Sequence, residues 1–318
     1  MTAAAPRAPS FASAPSFDTP VPRGGYLWWY VDGWSDDGAH GLTLIIFVGS
    51  VFSPYYAWST DQTPDNHCAL NVALYGAAPN RWAMTERGAK RVERESRRFV
   101  VGPSSVRLED QRLSIDVNER CAPLPRPLRG RIDVTPVIST DRAFTLAEAG
   151  GHLWRPVSPK ARISVELEQP RLSWRGDAYF DSNQGDEPLH DGFRHWTWCR
   201  AHLSDGVAVA YEATPRRSDP ASLFLKVKAD GAIEPQPSLE TAPLPTPLWA
   251  VKRRAHCDAG SAPRLLHGLE DAPFYNRSLI QTEMWGQRVQ GFHESLSLDR
   301  FKQTWVRTLL PVRMPRTG

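Results

Sequence analysis

Two stretches alternate apolar and polar residues strictly: Leu113, Ile115 and Val117 between Arg112, Ser114, Asp116 and Asn118, and Ile163, Val165 and Leu167 between Arg162, Ser164, Glu166 and Glu168. A strand sends successive side chains to opposite faces, so this spacing predicts half-buried β-strands. Apolar or aromatic runs at 26–31, 42–48, 130–134, 195–200, 207–212, 222–228 and 248–253 are predicted strands as well, with clusters of Gly, Asp and Pro between them. The 12 Trp, 12 Phe and 8 Tyr favour pleated surfaces, and the 28 Pro favour frequent turns. The pattern is that of an all-β sandwich or barrel.

Residues 85–99 depart from it. Met84, Val92, Ser96 and Phe99 fall at spacings compatible with a helix that Thr85 would cap. The basic stretch from Glu86 to Arg98 is either a solvated helix face or a contact for anionic lipid headgroups.

A length of 318 residues allows two domains, and an internal echo supports a duplication. Trp28-Trp-Tyr-Val-Asp-Gly-Trp-Ser-Asp-Asp-Gly38 leads into the strand at Leu42, and Trp196-Thr-Trp-Cys-Arg-Ala-His-Leu-Ser-Asp-Gly206 leads into the strand at Val207. The expected division is a disordered tail over 1–23, rich in Ala, Pro and Ser, then domains at 24–169 and 170–318, each a β-barrel or half-barrel. The tail lacks the apolar centre of a signal peptide. The run at 42–48 is far shorter than the roughly 20 residues of a spanning helix, so a soluble or peripheral protein is expected.

Lys and Arg total 38 against 35 Asp and Glu, and a net charge of +3 gives no reason to expect nucleic acid as a partner. Cys68, Cys121, Cys199 and Cys257 are widely spaced, which points to free thiols in a reducing compartment. No glycine-rich dinucleotide fingerprint, P-loop or H-E-x-x-H occurs. Gly33-Trp-Ser-Asp-Asp-Gly38 has one residue too many for a nucleophile elbow and fits a hairpin turn. The same stretch, with Asp32, Asp36 and Asp37, fails as a calcium loop, since Trp34 stands where a ligand is needed and Thr43 where a closing Glu belongs. His190, Asp191, His195 and His202 match no zinc spacing and are expected to be structural.

Three stretches together are specific: Gly24-Gly-Tyr-Leu-Trp-Trp-Tyr-Val-Asp-Gly-Trp-Ser-Asp-Asp-Gly38, Gly49-Ser-Val-Phe-Ser-Pro-Tyr-Tyr56, and Tyr179-Phe-Asp-Ser-Asn-Gln-Gly-Asp-Glu-Pro188 leading into His195-Trp-Thr-Trp198. They resemble the carotenoid 1,2-hydratase family, also called hydroxyneurosporene synthase. The likeness continues through Trp82-Ala-Met-Thr-Glu-Arg-Gly88, Asp271-Ala-Pro-Phe-Tyr275 and His293-Glu-Ser-Leu-Ser-Leu-Asp-Arg-Phe301. It implies two lipocalin-like, calycin-type β-barrel domains in tandem, and addition of water to the terminal double bond of an acyclic carotenoid such as neurosporene or lycopene. No organic cofactor and no metal are implied. The protein would be cytoplasmic, peripherally associated with the inner photosynthetic membrane from which it collects a water-insoluble polyene.

The chemistry needs a carboxylic acid kept protonated, a surface that tolerates a tertiary cation, and an ordered water. An unperturbed Asp, at about 3.9, is ionised at neutral pH, so the acid must be buried. Aromatic faces stabilise a cation without capturing it. Tyr179 and Asp181 would share one side of an extended segment, as would His152 and Trp154. By resemblance, Y-F-D and H-x-W carry catalysis: Asp181 as proton donor, His152 positioning the acid or the water, Trp154 and Tyr179 as walls, with Trp28 and Trp198 lining the pocket. Asp181 within an Asx-turn is the bland alternative. Asp186 and Glu187, in a wet polar stretch, are the rival acids. A lipocalin-like carrier and a cofactor-free polyene isomerase or cyclase are the alternative functions.

Overall fold

In the structure, a computed structural model, residues 8–76 and 80–317 are described. Residues 1–7 of the expected tail lie outside them. The chain divides by its internal contacts into two units, 1–144 with 153–187 and 310–318, and 145–152 with 188–309.

The strands of the first unit are Tyr26–Ser35 (β1), His40–Val48 (β2), Cys68–Gly76 (β3), Arg81–Arg87 (β4), Val92–Glu95 (β5), Arg98–Val101 (β6), Ser104–Glu109 (β7), Arg112–Arg120 (β8) and Pro127–Ile138 (β9). Phe144–Ala147 (β10) and His152–Gln169 (β11) follow, each reaching across a unit division, then Leu172–Gly185 (β12). The second unit holds Phe193–Leu203 (β13), Gly206–Pro215 (β14), Ala221–Lys228 (β15), Ile233–Pro235 (β16), Glu240–Pro243 (β17), Arg254–Cys257 (β18), Arg264–Ala272 (β19), Tyr275–Met284 (β20) and Gln287–Ser297 (β21). Arg316–Thr317 (β22) returns to the first unit and pairs with β4. The helices are single turns or little more: Pro54–Trp58 (α1), Leu189–Gly192 (α2), Leu298–Phe301 (α3) and Thr304–Leu309 (α4). The fold is all-β.

Strand order is similar in the two units around their opening strands. The first unit's sheet contains the run β4-β3-β2-β1-β12-β11-β9 and continues through β8, β7, β6 and β5, whereas the second unit's sheet is β16-β15-β14-β13-β21-β20-β19. In each, a four-strand meander opens the unit, and its first strand pairs with the unit's last long one. The two echoed segments are the opening hairpins, β1–β2 and β13–β14, at equivalent places in their sheets.

The turn of the first hairpin is built from the aspartates that superficially suggest calcium. Asp37 Oδ1 accepts the Ser35 hydroxyl at 2.5 Å and the Ala39 amide at 2.9 Å, and Gly38 takes φ +71°. Trp34 faces Gly41 across the strands, where a Cβ would stand 2.3 Å from the indole, so only glycine lets the ring lie flat there.

Both faces of β1 are buried. Leu27, Trp29 and Val31 point with Leu42, Leu44, Ile46, Leu70, Val72, Ala178 and Phe180 into one aliphatic core. Trp28, Tyr30 and Asp32 point the other way, onto a face that also carries Thr43, Phe47, Tyr179 and Asp181 and is equally buried.

Four expectations are corrected. Residues 85–99 form no helix: Thr85 to Arg87 end β4, Gly88 and a 3-10 turn follow, and β5 and β6 make a hairpin. Period two wins because Phe99 and Val101 alternate into the core, each fully buried. Four of the six basic residues there are engaged within the molecule, while Lys90 and Arg91 lie exposed. Arg87 reaches Glu119 at 2.8 Å, Arg97 reaches Asp110 at 2.8 Å, Arg98 reaches Glu93 at 3.1 Å, and Arg94 pairs with Asp65. Residues 248–253 form a turn and coil, with Leu248 90% exposed and Ala250 at φ +53°. Residues 8–23 pack against the first unit, where Phe11 and Phe17 are core residues. Finally, residues 170–187 go with the first unit, because β12 pairs with β1 from Gly176 to Gly185 and with β11 as a hairpin, which a boundary at 170 would cut.

Candidate active site

Asp181 lies inside β12, not in a turn, and is 4% exposed. Tyr179, two residues earlier on the same face, donates its hydroxyl to Asp181 Oδ2 at 2.8 Å. The Trp154 indole N–H donates to the same oxygen at 2.8 Å. With two donors converging on Oδ2, a proton on this carboxyl belongs on Oδ1.

The ladder beside these groups is irregular. The β11–β12 register shifts between Arg155 and Ser158, opposite Asp181. Pro156 lies in that interval and has no N–H to give the ladder, so a bulge forms and turns side chains off the regular pleat. Trp154, paired with Asn183 ahead of the bulge, shares a face with Asp181 and reaches it diagonally, while its ring packs 5.5 Å from Phe144.

Burial, reinforced by the charges of Asp181 and Asp32, pushes the Tyr179 phenol well above its usual range. Tyr179 therefore remains a hydrogen-bond donor at any working pH. The rival acids are wetter, Asp186 being exposed and Glu187 only half-buried.

Two residues that sequence reasoning passed over complete this face. Tyr30 pairs with Asp181 across β1 and β12, and Asp32 pairs with Tyr179. Tyr30 donates to Asp32 Oδ2 at 2.8 Å, and its ring meets that of Tyr179 edge-on at 6.1 Å. Each strand thus contributes one Tyr and one Asp, each tyrosine bonded to the aspartate two residues on. The signal was present as Y-x-D occurring twice, Tyr30-Val-Asp32 and Tyr179-Phe-Asp181.

Trp28 belongs to the same face and stacks on Tyr26 at 4.8 Å, with Phe47 and Phe52 beyond it at 6.1 and 6.3 Å. His152 is fully buried and is counted with the second unit, where its ring lies 4.6 Å from Phe193 and against bare Gly192. A Cβ on Gly192 would come within 2.3 Å of His152 Nε2. Trp198 is buried on β13 of that unit.

The second unit offers an instructive contrast. Matching the two hairpins sets Trp198 against Tyr30, and its partner Glu294 against Asp181. Glu294 is ion-paired with Arg277, itself 1% exposed. Glu294 thus faces a guanidinium, whereas Tyr179 and Trp154 bring Asp181 neutral donors.

His190 and Asp191 sit on α2 and His195 on β13, with Asp191 held by Lys302 at 3.0 Å. Burial lowers the His190 imidazole to about 4. Among the described residues no group of three or more His, Cys, Asp or Glu could hold a metal ion. The four cysteines are free and buried.

A family model described as carotenoid hydratase CrtC matches residues 44–318. The chain is 49% identical over 311 residues to the acyclic carotenoid 1,2-hydratase of Thiocapsa roseopersicina, spanning 96% of this chain and 77% of the relative. It is 45% identical over 309 residues to the acyclic carotenoid 1,2-hydratase of Rubrivivax gelatinosus, spanning 95% and 76%. Among solved structures, a Nitrosomonas europaea protein described as AttH superposes with a TM-score of 0.60 at 14% identity, covering 89% of this chain and 99% of that one. That likeness concerns the fold alone.

Proposed function

The chain belongs to the CrtC carotenoid hydratase family, and from that premise we propose that it adds water across the terminal C1=C2 double bond of acyclic carotenoids, neurosporene or lycopene, to give a tertiary alcohol. One observation carries the site assignment: a buried carboxyl, Asp181, with Tyr179 and Trp154 both donating to one of its oxygens.

Asp181 protonates C2. An alkene is a very weak base, so the donor must be a neutral carboxylic acid, and burial among aromatic walls disfavours its ionised form. The π electrons form the new C–H bond and leave a tertiary cation at C1. The faces of Trp154 and Tyr179 stabilise that cation by roughly 0.5–2 kcal/mol each and offer no lone pair that would trap it. Water then closes the reaction. His152 is proposed to position the acid or the water, and Trp28 and Trp198 to line the polyene's path. The addition is redox-neutral, and turnover is expected to survive chelation and dialysis. Each unit is further proposed to be lipocalin-like, which the shared strand order supports.

Incubation with lycopene is the direct test. A hydratase yields a product heavier by one water, with labelled oxygen from water in the hydroxyl. An isomerase yields unchanged mass, and a carrier only bound substrate. Label arriving from dioxygen would overturn the assignment.

No helix among the described residues is long and apolar enough to cross a membrane. We place the proposed peripheral contact in the second unit, at exposed Leu248 (90%), Trp305 (44%) and Leu309 (44%). Trp249 stacks on Trp305 at 6.2 Å, and the Arg300 guanidinium lies 5.7 Å from the Trp305 ring centre. An amphipathic ring with a cation beside it suits the headgroup boundary. The Trp305→Ala, Leu309→Ala double variant is expected to bind anionic vesicles about tenfold or more weakly, from lost apolar insertion. Sedimentation with vesicles measures this, and binding equal to wild type would rule the patch out.

A further inference from the structure

We propose that Asn183 holds the attacking water of this site: its carboxamide accepts a hydrogen bond from that water and turns the water oxygen toward the cation that Asp181 creates. The inference rests on the hydratase assignment and extends it to the water half of the reaction.

The β1–β12 ladder runs without a register shift from Tyr26 opposite Gly185 to Ser35 opposite Gly176. Tyr179, Asp181 and Asn183 therefore share one face at two-residue steps, which sets Asn183 roughly 7 Å along the strand from Asp181. Its ladder partners are Trp28 on β1 and Trp154 on β11, so the carboxamide is flanked by two tryptophans. Exposure, the area a water can touch, marks where water reaches this face. The adjacent pairs Tyr30–Asp181 and Trp28–Asn183 keep 4–5%, whereas the next pair, Asp32–Tyr179, is sealed at 0%. On the opposite face of β1, Leu27, Trp29 and Val31 are sealed at 0–1%. Water-sized space thus lies over the end of the face that carries both Asp181 and Asn183. Among the described residues no hydrogen bond engages the Asn183 carboxamide. A nearly buried amide without a protein partner is costly unless water satisfies it, and a water in so aromatic a setting needs polar partners of its own.

The steps balance. The Asp181 O–H breaks and its proton joins C2, using the alkene π pair. The water held by Asn183 forms the C1–O bond with a lone pair, and one of its protons passes to the Asp181 carboxylate that the first step left. The product leaves with one H and one OH added, and Asp181 regains its acid form. Asn183 stays neutral throughout. A Lys or Arg in its place would hold water as well but would draw Asp181 into the ionised form, which a carboxamide does not do.

Lycopene turnover in deuterated water separates the two halves. Wild type makes alcohol, and recovered substrate carries deuterium at C2 whenever the cation reverts. In Asn183→Leu, similar in size but without hydrogen bonds, hydration is expected to fall by about 10- to 10²-fold, while exchange at C2 stays at the wild-type rate or rises. Asn183→Ser keeps a hydroxyl that can hold a water, and its ratio of hydration to exchange is expected to exceed that of Asn183→Leu by about threefold or more. An unchanged ratio in Asn183→Leu would overturn the proposal. This holds whether both rates are kept or both fall together, the second outcome making Asn183 a support for Asp181 alone. A ratio in Asn183→Ser no better than in Asn183→Leu would also overturn it. Failure of the hydratase assignment looks different, because wild type itself would then give no product heavier by one water. Should Asn183→Leu fail to fold, Asn183→Ala removes the amide without adding bulk: its ratio is expected to drop about tenfold, and an unchanged ratio would overturn the proposal.

Discussion

Asp181→Asn is expected to lower lycopene hydration by about 10² to 10⁴-fold, or more with a substrate as weakly basic as an alkene, while the protein folds and still binds carotenoid. Asn is nearly isosteric, and its carbonyl oxygen can accept from both Tyr179 and Trp154, which reach the present Oδ2 at 2.8 Å. It cannot release a proton to carbon. Single-turnover kinetics measure the chemical step, and the absorption shift of bound carotenoid reports binding. Trp154→Phe and Tyr179→Phe each leave one donor and an aromatic face, so they should fall between wild type and Asp181→Asn. Trp154→Ala should be more damaging than Trp154→Phe, since it removes donor, cation stabilisation and wall together. Near-normal turnover in Asp181→Asn would remove Asp181 as the acid and bring Asp186 and Glu187 forward.

Much of this was legible because strands expose their logic at period two. Leu113 to Val117 and Ile163 to Leu167 do lie in strands, β8 and β11, and the turn at Gly38 closes the first hairpin. Tyr179 and Asp181 share a face for the same reason. What the chain order conceals is pairing. That β12 crosses back to β1 depends on contacts about 150 residues apart, which no local pattern encodes. The boundary at 170 and the neglect of Asp32 share this cause: Asp32 stands opposite Tyr179 only once β12 is docked. The stretch 85–99 misled for another reason. Its spacing satisfied both periods, and only the core position of Phe99 selects between them.

Phe17→Ala is expected to destabilise the protein by about 3–5 kcal/mol, a large share of a typical folding free energy of about 5–15 kcal/mol. Phe17 is fully buried, 4.8 Å edge-on from Trp29 and 5.9 Å stacked on Phe99. Composition marks its segment as a tail, because Ala, Pro and Ser bury little, yet two phenylalanines anchor it. Phe11 meets Phe180 at 5.1 Å, and Arg94 binds the Phe17 carbonyl at 2.6 Å. The Trp29 indole also donates to the Pro15 carbonyl at 3.0 Å. Trp29 and Tyr30 are neighbours on β1 facing opposite ways, so the segment supports from behind the strand that presents Tyr30 and Asp32. Denaturant midpoints measure the loss, and Phe17→Leu should recover most of it by refilling the cavity. Turnover by Phe17→Ala at temperatures where it remains folded should also fall, because a strand freed on its core side no longer fixes the hydrogen bonds on its other side. An unchanged midpoint would return residues 8–23 to the role of a tail.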